Sequence, residues 1–401
     1  MERPMKSDTK HIPALDGLRA IAILMIVWYH FWQQSWLSPS FSVRLPFGPR
    51  AVFVSLDILP RTGYLFVDLL LLLSAFCLFL PHARSMVYGD PVPSVRGFYK
   101  KRLVRIVPPY YLSALLLFCY ALLTRAYGTA GEAIRDLLAT LSFTQVFSPR
   151  TYLGTKINGV LWTAAVEMQF YLLFPLLARC FRKKPLLTYL SMLGASLLFV
   201  YGVSLPRPEQ LRMLQNQLPA FLSVFANGMA AAYVYTLSEK RLAARPIRLL
   251  PLFLLPVIAF SLVLLNRIRH GAAGAELLPA YQMAMRYPLS LVFTLLLLAL
   301  SFSGRVGRAL LGNRILRFFA AISYELYIWH QWIAVRLKEW RIPYWAGDAL
   351  PNMTGDRPWQ IRYTVVVFFV AIAAAALLTY CYERPVSRLL LRGSKNTTKE
   401  V

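Results

Sequence analysis

Runs of about 18–22 predominantly apolar residues recur along this chain between short polar or basic segments, and a run of that length crosses the hydrocarbon of a bilayer as an α-helix. Ten such helices are predicted, over 14–36, 64–82, 106–124, 161–180, 186–205, 218–236, 249–266, 287–303, 318–337 and 363–383. The fold class that follows is all-α: a polytopic membrane protein of about ten transmembrane helices. The longest connections are 37–63, 83–105, 125–160 and 338–362. Within them, 131–143 reads as a short interfacial helix. Pro343, Pro351, Gly355 and Pro358 make the last connection irregular, with Trp345 and Trp359 inside it. No internal repeat and no soluble domain interrupts the spans. The chain thus divides into a tail (1–13), a membrane domain (14–385) and a second tail (386–401), whose RGSKNTTKEV ending is polar enough to be left disordered. The first run is too long for a cleaved leader, contains Arg19 and lacks a small-residue cleavage site.

Composition agrees with this pattern. With 57% hydrophobic and 15% charged residues in 401, and a mean hydropathy of +0.50, the chain is too apolar for a soluble domain. The net charge of +26 would suit a nucleic-acid binder if it were concentrated on one surface. It is instead distributed by side: with the N-terminus inside, 26 of the 44 Lys and Arg residues fall on cytoplasmic segments and 17 on outer ones. The positive-inside rule then places both termini in the cytoplasm of a multi-pass protein of the cell (inner) membrane. The basic excess serves topology and attraction to anionic membrane lipids, with no nucleic-acid partner expected. Cys77, Cys119, Cys180 and Cys381 show no paired spacing, and the five histidines form no ligand motif, so neither a disulfide framework nor a metal site is predicted.

Candidate chemistry lies in the polar residues that the spans tolerate, because an ionisable side chain within a bilayer is costly unless it is used. LDGLRAIAILMIVWYH places Arg19 and His30 eleven residues apart, within about 20° of the same helix face and roughly 16 Å apart along the axis. A snorkelling Arg and an interfacial His are the bland alternative. Asp68, near the outer end of the second span, needs a partner such as His30 or an arginine at similar depth, unless it caps or packs at the interface. Lys100, Lys101, Arg102 and Arg105 crowd the cytoplasmic entrance of the third span, with Pro108 and Pro109 bending or interrupting the helix just beyond. Such cations suit a phosphate-rich ligand, or simply anchor topology. Glu167 lies in the fourth span beside Trp162, Gln169 and Tyr171; Ser323, Tyr324, Glu325 and Tyr327 lie in the ninth, with His330 above them. His30, Glu167 and His330 are expected in the outer half, and Arg19 and the basic cluster in the inner half. That is a cavity cationic toward the cytoplasm with acid–base groups toward the outside.

These segments together resemble the integral-membrane acyltransferase-3 family of O-acyltransferases, which modify surface polysaccharides, lipids and some natural products. LDGLRAIAILMIVWYH resembles the first-helix motif, with Arg19 and His30 in the Arg and His positions. VDLLLLLSAF resembles the second-helix segment at Asp68, Ser74 and Phe76. FYKKRLVRIVPPYY is similar at Arg102, Arg105, Pro108 and Tyr110, LWTAAVEMQFYLLFP at Trp162, Glu167, Phe170, Tyr171 and Pro175, ISYELYIWH at Ser323, Tyr324, Tyr327 and His330, and YERP at Glu383 and Pro385. The chain departs from the pattern at Ala75, where the family usually has Gly, and at Met168, where a second carboxylate is frequent.

The resemblance implies an acyl-CoA-dependent O-acyltransferase. It would carry an acyl group, first of all acetyl from acetyl-CoA, to a hydroxyl of an extracytoplasmic glycan or glycolipid, with no permanently bound cofactor. In that reading Lys101, Arg102 and Arg105 hold donor phosphates and Arg19 steadies the donor. His30 acts as base, and Glu167 or Asp68 orients it. His330, Ser323, Tyr324 and Trp162 serve the oxyanion or the acceptor. A macrolide-like metabolite is another acceptor. A proton-coupled transporter or flippase of a lipid-linked sugar, and a non-catalytic assembly subunit, are the readings from other classes.

Overall fold

A computed structural model describes residues 12–44, 51–244, 254–271 and 277–396. Its main helices are α1 (Pro13–Ser35), α2 (Phe66–Tyr88), α3 (Val95–Leu123), α4 (Ala130–Leu141), α5 (Trp162–Lys183), α6 (Pro185–Leu197), α7 (Leu218–Ala244), α8 (Leu254–Gly271), α9 (Leu278–Phe302), α10 (Arg314–Glu339), α11 (Arg357–Leu378) and α12 (Arg384–Asn396). All but α4 and α12 lie on the ten predicted spans, and α4 is the short helix expected between spans. Among the described residues, eight helical stretches are long and apolar enough to cross a membrane, and α8 and α10 are not among them. In α10 the cause is Glu325, His330 and Gln331, which interrupt the apolar run. Buried against α1 and α11, it presents these groups to other helices.

Apolar side chains fill both the inside and the outside of the bundle, as a lipid-facing exterior requires. Leu172, Leu176, Leu186, Val365, Phe369 and Leu377 are exposed. Inside, the most extensive helix pairing is that of α7 on α2. A Cβ at Gly228 of α7 would lie 2.4 Å from the Leu72 carbonyl oxygen and 2.7 Å from Ala75 Cβ. The small residue Ala75 therefore serves helix packing.

Two expectations are corrected, and one connection gains a regular element. Pro108 and Pro109 do not interrupt α3, which runs unbroken through them. Pro108 has no N–H for the Val104 carbonyl, and Ser387 of α12 donates to that oxygen at 3.4 Å instead. The connection 37–63 contains an antiparallel hairpin, β1 (Ser40–Arg44) with β2 (Ala51–Ser55), Ser40 opposite Ser55. The expected second tail is helical as far as Asn396, while 397–401 and residues 1–11 of the first lie outside the described residues.

Candidate active site

Two apolar cores form in the bundle, one mainly from α2, α5, α7 and α9, the other mainly from α1, α3, α10 and α11. In the seam between them is a chamber of about 180 Å³. Arg19 reaches it from α1, Ser74 and Cys77 from α2, Arg102 and Arg105 from α3, Glu167 and Tyr171 from α5, and Ser323, Tyr324 and Tyr327 from α10. Glu167 is fixed there: Ser74 Oγ donates to its Oε1 at 2.5 Å, and the Tyr171 hydroxyl, one helical turn on, donates to the same oxygen. Arg19 Nη2 lies 3.8 Å from Cys77 Sγ. Ser74 and Cys77 are three residues apart on α2, a rise of roughly 4.5 Å, so the carboxylate and the guanidinium occupy adjacent levels.

Arg19, Arg102 and Arg105 also line a wider basin of about 570 Å³, formed by the starts of α1, α3 and α10 and by α12. Lys101, Arg317, Arg384 and Arg388 complete its cationic wall, which includes only Asp16 and Glu383 as acidic residues. Basin and chamber are thus joined through three arginines. Arg317, Arg384 and Arg388 were not singled out from the sequence, where they look like ordinary basic residues at helix ends.

His30 and His330 face each other with ring centroids 5.0 Å apart. His30 Nδ1 is 2.9 Å from Gln33 Oε1, and that amide is oriented by Gln33 Nε2, which donates to the Tyr29 hydroxyl at 3.0 Å. An amide oxygen only accepts, so this assignment puts the proton of neutral His30 on Nδ1 and leaves Nε2 as the basic nitrogen. His330 follows the same logic: Nδ1 is 2.7 Å from the Tyr327 carbonyl oxygen, and Nε2 is buried without a hydrogen-bond partner. Neither imidazole lines the chamber, but Tyr327 does, and its ring lies 5.7 Å from that of His330.

Several predicted residues lie elsewhere than expected. Glu167 sits one turn from Arg19 and not beside His30, whose orienting contact is Gln33. Gln33 stands three residues after His30, a helical spacing readable in the sequence but not used. Asp68 does not orient His30 but takes the other partner expected for it, an arginine: its Oδ2 is 3.4 Å from Arg286 Nε, with both side chains 1% exposed. Arg286 also covers the Phe221 ring at 3.8 Å and donates to the Gln215 carbonyl at 2.9 Å. Trp162 stacks on Phe221 outside the chamber lining. Ser323 and Tyr324 do line it, but their hydroxyls donate to the Ala320 and Ile106 carbonyls at 2.9 and 3.1 Å. As an oxyanion donor each would first have to give up that bond.

Residues 12–381 match the acyltransferase-3 family, described as an acyltransferase domain. Among relatives, "Putative acetyltransferase ORF330" of Acidianus two-tailed virus is 26% identical over 325 residues, covering 79% of this chain and 82% of that protein. Peptidoglycan O-acetyltransferase OatA of Listeria monocytogenes is 24% identical over 210 residues, 49% of this chain and 29% of the relative. O-acetyltransferase OatA of Staphylococcus aureus is 31% identical over 181 residues, 42% of this chain and 24% of the relative. This chain therefore spans less than a third of either OatA protein. No solved structure matches it. With a family match across nearly the whole chain, the chain belongs to the acyltransferase-3 family of membrane acyltransferases.

Proposed function

We propose that this protein transfers an acyl group, acetyl in the first instance, from cytoplasmic acyl-CoA to a hydroxyl of a glycan or glycolipid on the far side of the membrane. The observation that carries the reading is the basin that narrows, through Arg19, Arg102 and Arg105, into the chamber holding Glu167. Coenzyme A has the matching sequence of groups. Its phosphates suit the Lys101, Arg102, Arg105, Arg317, Arg384 and Arg388 side chains, since arginine pairs with phosphate bidentately. Its pantetheine arm carries two amides, whose carbonyls suit Arg19 and whose N–H groups suit the fixed Glu167 carboxylate.

Past that collar the thioester approaches Tyr327 and the two histidines. His30 Nε2 removes the proton of the acceptor hydroxyl as its oxygen attacks the thioester carbonyl. The tetrahedral intermediate then collapses, the C–S bond breaks, and coenzyme A leaves as the thiol with the proton held by His30. Gln33 keeps His30 in the reactive tautomer, as the carboxylate of a catalytic triad does for its histidine. His330, with its own bare Nε2, accepts a hydrogen bond from the acceptor. Both termini are cytoplasmic in this reading, so the basin faces the cytoplasm of the cell membrane. The acetyltransferase names of the relatives support the acyl group. The test is an assay of purified protein with acetyl-CoA: thiol release should depend on an added glycan acceptor, whereas a transporter of a lipid-linked sugar would release none.

A further inference from the structure

A separate pocket of about 350 Å³ lies at the ends of α3 and α10 opposite the basin, lined by Tyr120, Thr124, Lys156, Gln331, Trp332 and Arg336 among others. Its size falls in the range of small-ligand sites, about 300–1,000 Å³. Its platform is aromatic: the Trp332 and Tyr120 rings meet edge to face at 5.4 Å. Polar groups surround the platform. Gln331 supplies an amide, and the exposed Lys156 an ammonium. Arg336 Nη1 lies 3.4 Å from the Tyr120 hydroxyl and its guanidinium pairs with Glu339 at 2.6 Å, while its buried Nε has no hydrogen-bond partner.

The wall is built before any ligand arrives. Asp136 Oδ2 accepts from the Tyr127 hydroxyl at 2.8 Å, from Thr155 Oγ1 at 3.1 Å and from the Lys156 backbone N–H at 2.9 Å, which fixes the loop carrying Lys156. Burial and that bond to Asp136 raise the Tyr127 hydroxyl above its ordinary pKa, so it stays a donor. Asn158 Nδ2 donates to the Ile328 carbonyl at 2.8 Å and ties the same loop to α10. Ile328 lines the inner chamber and Gln331 the outer pocket, so one helical turn separates them, and His330 lies in that turn.

We infer that this pocket is the acceptor subsite and that it holds one pyranose residue of an acidic glycan. A pyranose offers an apolar, slightly positive C–H face to the negative face of an indole, and hydroxyls to an amide at the rim. A carboxylate on that residue would meet Lys156. This assignment rests on the acyl-transfer reading only for the word acceptor; binding of the sugar is testable without any donor.

The experiment uses the whole protein in nanodiscs, with methyl β-D-glucopyranoside and methyl β-D-glucuronide as probes in saturation-transfer NMR. Both should bind, the glucuronide up to about fivefold more tightly, as expected for one exposed charge pair. Lys156→Gln should remove that preference and leave the neutral probe unchanged. Trp332→Leu should weaken both probes about tenfold, while thermal stabilisation by acetyl-CoA stays at the wild-type value in both variants. Unchanged binding in both variants, failure of both probes to bind, or displacement by inorganic phosphate with no neutral-probe binding would each overturn the assignment. Sugar binding without acyl transfer in the wild type would keep the pocket and remove the acyltransferase chemistry. Transfer by Trp332→Leu with an unchanged acceptor KM would do the reverse.

Discussion

Gln33 holds His30 through Nδ1, and under the proposed base mechanism the two residues give separable expectations. His30→Ala should lower acyl transfer about 10²–10⁴-fold, the usual scale for loss of a general base, with the protein still folded by thermal unfolding. Gln33→Leu should lower kcat about tenfold, the equivalent of one hydrogen bond of about 1.4 kcal/mol, with the donor KM unchanged. Gln33→Glu, which still accepts from Nδ1, should recover activity. Equal loss in both Gln33 variants would make its role structural. Arg19→Lys keeps the charge but loses the planar fork, and should weaken acetyl-CoA binding by calorimetry while His30→Ala leaves it intact. At this scale the spacing of Arg19 and His30 puts two costly groups near one helix face, while only Arg19 lines the chamber. Arg286 was not, since the partner of Asp68 is 218 residues away and only the packing of α9 on α2 brings them together. Asp68→Asn leaves a buried guanidinium unpaired, and should lower stability by about 3–5 kcal/mol in thermal or denaturant unfolding.

Helices were readable at the level of elements because a span must satisfy its backbone internally, which forces long apolar runs. What the run length conceals is how the helices touch. Gly228 looks like any glycine of a membrane helix, yet it allows the α2 backbone to approach to within a missing Cβ. Gly228→Leu should overpack that contact at a cost of about 1–3 kcal/mol, read as a lower unfolding temperature. The same variant should also lower activity, because α2 carries Ser74 and Cys77 into the chamber. In the hairpin, Ser40–Arg44 alternates polar and apolar residues but Ala51–Ser55 does not, and both strands are short, so the pair gives a weak strand signal. The prolines of α3 misled for a physical reason. A proline ends a helix in water, but here Ser387 of α12, distant in sequence, takes up the freed carbonyl.

In the whole molecule, the proposed function depends on the joining of basin and chamber, which no single element contains. Arg317, Arg384 and Arg388 come from α10 and α12 to face the α3 cluster. Their replacement by Gln should raise the KM for acetyl-CoA much more than for S-acetyl pantetheine, which lacks the nucleotide phosphates. Equal effects on both donors would reduce these residues to topological anchors. The central claim is that an acyl thioester entering from the basin is consumed by a hydroxyl acceptor with His30 as base. Release of free thiol from acetyl-CoA by purified protein, with and without a glycan acceptor, tests it most directly. Release should rise with acceptor in the wild type and fall to background in His30→Ala. Absence of acceptor-dependent release in the wild type, or the same release in His30→Ala, would contradict it.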